Sequence, residues 1–159
     1  MQLKTALPMA ILLGISVLGC QAGPSPTPVP TTTIDGAEAL IADLRTAGAD
    51  ARLGERFAPD PFTAQGMVMC LGKEPVRLYV FPSIADRVKA AARIDPSNPS
   101  SMGTSIVDWN GRPRFWQRVR VLVMYLGEDV ATEASLRGVL GPPFASGQGR
   151  LALRDGSCA

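Results

Sequence analysis

The clearest periodic pattern of apolar positions begins at Ile34. Apolar residues then recur every three to four positions, at Ala37, Leu40, Ile41, Leu44 and Ala47. This spacing places them on one face of an α-helix. Asp35 with Glu38 three residues later resembles a capping box, and Gly48 is a typical residue for a helix end. The pattern therefore predicts a first amphipathic helix.

A change to strand-like patterns follows this helix. Apolar and polar residues alternate over residues 49–57, until prolines 59 and 61 interrupt the chain, which indicates a short strand and a loop. Residues 67–71 and 76–81 are apolar runs separated by a short polar connection that contains a glycine and a proline. Two such runs with a short connection predict a β-hairpin.

Side chains that can cap a helix mark two further elements. Ser83, with Asp86 three residues later, begins a second predicted helix that reaches about Ile94 and ends before Pro96. Asp129 begins a third, Val130–Leu140, which Gly141 and two prolines stop. The buried side of this third helix is expected to include Val130, Ala134 and Leu140.

A second hairpin is predicted between the second and third helices. Its first strand would be Thr104–Trp109, its turn Asn110 and Gly111, and its second strand residues 117–126. The order of elements is then helix, strand, hairpin, helix, hairpin, helix. This order predicts an α+β fold, with three helices on an antiparallel sheet of about five strands built from two hairpins and one short strand. The globular domain would occupy residues 34–144, followed by a glycine-rich tail at 145–159.

The amino-terminal twenty residues have a different character. Lys4 provides a positive start, and Ala6–Leu18 is an uncharged, mostly apolar run that is shorter than the roughly 20 residues of a membrane-spanning helix. This layout indicates an export signal over residues 1–19. The run ends in Val17, Leu18, Gly19 and Cys20, which resembles the lipobox of bacterial lipoproteins, although Leu18 is larger than the residue usual there.

The resemblance implies a cellular location rather than an activity. In bacterial lipoproteins the cysteine carries a diacylglyceryl group, the signal is removed before it and the new amino terminus is usually acylated with a fatty acid such as palmitate. Cys20 would then anchor the protein in the cell membrane, on its extracytoplasmic face. Gln21 is not the aspartate of an inner-membrane retention signal, so the outer membrane is a further destination in a host with two membranes.

The segment after Cys20 is rich in proline, and the chain as a whole has nearly equal numbers of basic and acidic residues. Residues 20–33 carry prolines at 24, 26, 28 and 30, which favour an extended spacer between Cys20 and the domain. In layout, the chain resembles small bacterial lipoproteins with a single α+β domain of unknown activity. Lys plus Arg total 16 and Asp plus Glu total 14, so we do not expect a nucleic-acid partner.

The residue types present limit the chemistry. The chain has no histidine, which excludes Ser-His and Cys-His nucleophile pairs and histidine metal sites. No cofactor motif or metal-ligand spacing is recognisable, so we expect neither. Once Cys20 is assigned to lipid, Cys70 and Cys158 remain, and in an oxidising compartment they are candidates for a disulfide that holds the tail against the first hairpin. The alternative is a buried free Cys70 and a loose Cys158.

An arginine-rich stretch is the strongest candidate for a contact surface. Side chains two positions apart share one face of a strand. The residues concerned are Arg112, Arg114, Trp116, Arg118 and Arg120. Such a face could bind an envelope protein or an anionic ligand through charge-assisted hydrogen bonds and cation–π contacts. The alternative is a solvent-facing side of the hairpin whose arginines only maintain solubility.

The leading hypothesis from the sequence is therefore a lipid-anchored, non-catalytic binding module of the cell envelope. One alternative is an envelope hydrolase that uses carboxylates such as Asp108 and Glu128, which would have to meet in a pocket. Helix capping and turn chemistry account for these two residues without catalysis. A purely structural envelope protein is the remaining alternative.

Overall fold

A computed structural model describes residues 35–149 and Cys158. The predicted signal, lipobox and linker, and most of the carboxy-terminal tail, lie outside the described residues. Within residues 35–149 the elements are α1 Asp35–Thr46, β1 Ala51–Phe57, β2 Gln65–Leu71, β3 Glu74–Val80, α2 Ile84–Ala91, β4 Ser101–Met102, β5 Ser105–Ile106, β6 Arg114–Arg118, β7 Val121–Tyr125, α3 Val130–Leu140 and β8 Ala145–Ser146.

The predicted α+β class is confirmed. Six strands form one antiparallel sheet in the order β1-β2-β3-β7-β6-β8, and β4 and β5 form a separate two-stranded sheet. The first predicted hairpin is β2 with β3, in which Met67 lies opposite Leu78 and Met69 opposite Val76. The sheet has six strands where about five were predicted, because β8 adds an edge at the start of the predicted tail, β6 and β7 are two strands, and the predicted strand 104–109 lies outside the sheet.

The second predicted hairpin was placed wrongly. It is formed by β6 and β7, with Arg118 opposite Val121 and a turn at Val119 and Arg120, inside the region predicted as one continuous strand. The predicted strand at 104–109 is reduced to β5, which pairs with β4 alone. Asn110 and Gly111 belong instead to the loop before β6, where the Arg112 amide donates to the Leu126 carbonyl at 3.0 Å.

Both faces of the central sheet are covered. All five residues of β7 are buried, and they alternate between two hydrophobic clusters. Val121, Val123 and Tyr125 face α1 and α3, whereas Leu122 and Met124 face a layer that contains α2 and the aromatic loop residues Phe62 and Trp109. The domain is therefore a three-layer arrangement with the sheet in the middle.

The helices begin where the capping residues predicted. The Ser83 hydroxyl accepts from the Asp86 amide at 3.1 Å, and the Asp129 carboxylate accepts from the Thr132 amide at 2.7 Å. Helix α2 ends at Ala91, three residues earlier than predicted, because the Ile94 amide already bonds to the carbonyl three residues before it, that of Ala91. The predicted cap at Asp35 involves a side chain outside the described residues.

The buried faces of the helices are only partly as predicted. Helix α1 buries the predicted residues Ala37, Leu40, Ile41 and Leu44, whereas Ala47 is exposed. Helix α3 differs: Val130 is 80% exposed and Ala134 is also exposed, and the buried residues are Thr132 and Leu136. Polar side chains also join α3 to β6, since Arg114 of β6 bonds to Glu133. The face of α3 that packs on the sheet therefore contains both polar and apolar residues.

The predicted pair Cys70–Cys158 forms a disulfide, with an S–S distance of 2.05 Å. Cys70 lies on β2, and both cysteines are buried beside Val68. The Arg52 guanidinium of the neighbouring strand β1 donates to the Cys158 carbonyl at 3.0 Å. The disulfide thus fixes Cys158 against the β1–β2 part of the sheet.

The turn between β6 and β7 contains an unusual backbone conformation. Val119 has φ of 46°, in the left-handed region that glycine, asparagine and aspartate normally occupy in two-residue hairpin turns. A β-branched side chain is disfavoured there by roughly 1–3 kcal/mol. The Val119 side chain is nevertheless 56% exposed, so packing in the core does not account for its presence.

We expect Val119→Gly to raise the free energy of unfolding by about 1 kcal/mol, because the relieved strain exceeds the added entropy of the unfolded chain. Urea unfolding measures this difference. Val130→Gly is the matched control, since Val130 is also exposed but begins a helix. An equal effect of both substitutions, or a loss of stability in Val119→Gly, would contradict the assignment of strain to the turn.

Candidate functional site

The predicted arginine and tryptophan face exists in part, but it is an internal surface. Arg114, Trp116 and Arg118 alternate along β6 and point to the same side of the sheet, as predicted. That side is covered by α1 and α3, so Arg114 is 6% and Trp116 is 1% exposed. The expectation that these two residues form an external contact surface is therefore wrong. Local alternation predicted the shared face, whereas its cover comes from helices distant in the chain.

Arg114 is held by partners on several sides. Its guanidinium donates to the Glu133 carboxylate at 2.5 Å and to the Gly127 carbonyl, and it lies 4.9 Å from the centroid of the Tyr125 ring. Arg137 adds a second cation to Glu133 at 2.8 Å. A buried cation is stabilised only when it is paired in this way, so Arg114 fixes the first turn of α3 to the sheet.

Two further side chains on this face also hold helices. The Trp116 indole donates to the carbonyl of Gly141, the residue that ends α3, at 2.9 Å. Arg118 forms an ion pair with Asp43 of α1. Of the other predicted residues, Arg112 is exposed but precedes the strand, and Arg120 is half-buried in the turn. Three of the five residues singled out from the sequence, Arg114, Trp116 and Arg118, thus bind this chain's own helices.

The pKa of Glu133 is set by its burial and by the neighbouring cations Arg114 and Arg137. Burial would by itself raise the pKa of Glu133, but hydrogen bonds from Arg137 and Arg114 and their charges outweigh it and hold the pKa below its ordinary value. Burial also raises the pKa of Tyr125, whose hydroxyl donates to Glu74 at 3.0 Å and accepts from the Asp129 amide. These groups form a polar seam between β7 and α3.

The carboxylates considered for catalysis are not arranged as an active site. Asp108 and Glu128 are both exposed to solvent. Asp108 lines a cavity beside the β3–β7 region, and Glu128 does not. This pair therefore lacks the shared, water-excluding pocket that the hydrolase alternative requires.

The cavity at Asp108 is the best candidate for a binding site. Its volume is about 240 Å³, and its polar wall consists of Asp60, Arg77, Asp108 and Asn110. Val107, Trp109 and Leu126 supply apolar wall. Three of the four polar residues are exposed and Arg77 is half-buried. The cavity thus presents both signs of charge beside a hydrophobic surface, which suits a small polar ligand or a protruding polar side chain.

A buried hydroxyl lies on the same strand as the cavity residue Arg77. Tyr79 is fully buried between the rings of Phe57 and Phe62, and its hydroxyl is one of two buried side-chain polar atoms without a hydrogen bond among the described residues. Burial raises the pKa of Tyr79 to about 12, while the charge of Arg77 opposes the shift and that of Asp60 adds to it. Two residues of the cavity wall, Arg77 and Asp60, therefore act on the pKa of the Tyr79 hydroxyl.

A larger cavity, of about 410 Å³, lies between the β2–β3 turn and the first turns of α3. Two of its three acidic groups, Glu74 and Asp129, already bond to Tyr125 and to the α3 backbone, respectively, and the third is the exposed Asp50. We assign no site to it. The described residues contain no cluster of His, Cys, Asp and Glu placed to hold a metal ion. Among the same residues, the helices lack the length and apolar character needed to cross a membrane.

Comparison with known proteins gives no family assignment. No protein-family model matches the chain, and neither a curated protein nor a solved structure is significantly similar to it. The function therefore has to be argued from this chain's own residues. The cavity wall was missed by sequence reasoning because it joins segments near residues 60, 77, 108 and 126, which no local pattern connects.

We expect Glu133→Gln to lower the free energy of unfolding at pH 7 by about 2 kcal/mol, because the charge paired with buried Arg114 is lost. The folded-state pKa of Glu133 is lowered, so its stabilisation is present above the unfolded pKa and lost as pH falls through the folded pKa. The difference from wild type should therefore shrink below about pH 4.

Urea unfolding at a series of pH values measures this dependence. Glu55→Gln is the control, because Glu55 is exposed on β1 and no ion pair is recorded for it among the described residues. A loss of stability in Glu133→Gln that stays constant from neutral to acidic pH would show that the carboxylate charge is not what stabilises the contact between Arg114 and α3.

Proposed function

We propose that this protein is an extracytoplasmic lipoprotein, anchored by a lipid on Cys20, whose α+β domain acts as a non-catalytic binding module of the cell envelope. The observation that carries the proposal is the Cys70–Cys158 disulfide. Disulfides persist in oxidising compartments outside the cytoplasm, which is where a lipoprotein signal would deliver the chain. The chain has three cysteines, so this pairing leaves Cys20 as the remaining thiol, at the position that the lipobox pattern requires.

The cavity formed by Asp60, Arg77, Asp108 and Asn110 is the contact site that we assign to this module. It replaces the arginine and tryptophan face, whose central residues are occupied by α1 and α3. Polar groups of both signs beside an apolar wall can orient a partner's polar group while excluding part of its water. The exposed carboxylates give no specific support to a hydrolase.

We expect Cys20→Ser to move the protein out of the lipid-anchored membrane fraction, because the thiol that accepts the lipid is absent. Metabolic labelling with a radioactive fatty acid and extraction into a detergent phase measure this directly. Cys158→Ser is the matched control, since it changes a cysteine that forms the disulfide. Incorporation of fatty acid into Cys20→Ser at the wild-type level would refute the anchor.

We expect Asp108→Arg to weaken partner capture by about tenfold, because reversing one charge in the cavity wall replaces an attractive contact with a repulsive one. Cross-linking in intact cells, followed by affinity capture and mass spectrometry, measures the recovered partner. Glu55→Arg is the control for surface charge, because Glu55 is exposed and does not line the cavity. Equal capture by both variants would remove the cavity as the binding site.

A further inference from the structure

Three large apolar side chains are exposed near one another at one end of the sheet. Ile84 and Val88 of α2 are 52% and 49% exposed, and Val119 of the β6–β7 turn is 56% exposed. Ile84 and Val88 lie one helical turn apart, so they project from the same side of α2. Single exposed apolar residues are ordinary, whereas a group of them rimmed by polar side chains is a candidate interaction site.

Hydrogen bonds join the turn to α2. The Arg87 guanidinium donates to the Val119 carbonyl at 3.0 Å and to the Gln117 side chain at 2.6 Å. The Phe81 amide, just before α2, donates to the Arg120 carbonyl at 3.0 Å. The apolar side chains of the turn and of the helix are therefore parts of one surface. We call this surface, which consists of Ile84, Arg87, Val88, Val119 and Arg120, the Val119 surface.

Basic side chains surround the apolar ones. They are Arg87 and Lys89 on α2, and Arg120 in the turn next to Val119. The acidic residue Asp86 lies beside them and accepts a hydrogen bond from the Ser83 hydroxyl. The ion pair of Arg118 and Asp43 lies on the α1 side of the sheet. Among the described residues, cations therefore outnumber anions around the apolar side chains, and this combination complements a bilayer whose headgroups are anionic.

The end of the sheet that carries the Val119 surface is also the end nearest to the start of α1, to which the linker from Cys20 is joined. Helix α1 begins next to this end, because Gly36 packs so closely on Val121 that a Cβ at Gly36 would lie 2.9 Å from the Val121 side chain. Val121 is the first residue after the turn. Residues 21–34 therefore connect Cys20 to the end of the domain that carries the Val119 surface. At about 3.5 Å per residue they span at most about 50 Å. A linker of this length lets the Val119 surface reach the membrane but does not by itself hold it there.

We propose that the Val119 surface docks on an anionic lipid bilayer, with its apolar side chains entering the interfacial region and its excess positive charge attracting the lipid phosphates. This inference rests on the proposed lipid anchor at Cys20, which supplies the high local concentration that a small docking surface needs. It also accounts for valine at residue 119, where glycine would relieve the backbone but would present no apolar side chain to the bilayer.

The test uses the mature lipidated protein in vesicles of phosphatidylcholine with or without phosphatidylglycerol. An environment-sensitive fluorophore is attached at Ala85→Cys, beside the Val119 surface, or at Ala131→Cys. Ala85 and Ala131 are each the second residue of a helix, α2 and α3, and both are exposed. We expect a blue shift at residue 85 in vesicles with phosphatidylglycerol, a smaller shift without it, and no shift at residue 131.

Val119→Asp should reduce the shift at residue 85 by about half or more, because aspartate tolerates positive φ but is repelled by anionic lipid. Val130→Asp is the control, since it adds the same charge at the first turn of α3. Vesicle sedimentation reports the anchor separately. Protein that does not sediment with vesicles would refute both the anchor and the docking. Sedimenting protein whose label responds equally at residues 85 and 131, or responds regardless of phosphatidylglycerol, would refute the docking alone.

Discussion

The structure depends on a central strand that is apolar on both faces. β7 reads VLVMY, and every one of its residues is buried. A strand with this composition requires cover on both sides of the sheet, because burying only one face would leave large apolar side chains in water. Helices α1 and α3 cover one side. The single short helix α2 cannot cover the other alone, so the loops that carry Phe62, Trp109 and Phe144 complete that layer through aromatic contacts.

Because both faces of the sheet are covered, β6, the neighbour of β7, also has side chains buried on both of its faces. Its alternating side chains divide between the layers, so Phe115 joins the aromatic layer while Arg114 and Trp116 lie beneath the two helices. A cation under a helix is costly unless it is paired, and the pairing with Glu133 makes the position of α3 specific. Among the described residues, the buried Arg114 Nε atom has no hydrogen-bond partner, so this specificity is obtained at some cost in stability.

The parts of the fold that could be predicted are those with a local cause. Ser83 and Asp129 cap helices through neighbours three residues away, and the β2–β3 hairpin is visible as two apolar runs with a short connection. The β6–β7 turn could not be predicted, because Val119 has no turn preference and the nearby Asn110–Gly111 dipeptide is a stronger local signal. The prediction of an external arginine and tryptophan face was wrong for a related reason. Alternation along a strand shows which side chains lie on the same face, but it does not show which helix covers that face.

The two proposed surfaces lie on different parts of the domain and do not compete. The Val119 surface adjoins Val121, at the start of β7, whereas the cavity wall includes Leu126, which follows the end of that strand. At about 3.4 Å per residue, these two points are roughly 17 Å apart along the strand. Arg77, opposite Met124, also lies toward the cavity end. A domain docked on the bilayer through the Val119 surface would therefore keep this part of the cavity wall away from the lipid, where an envelope partner can reach it.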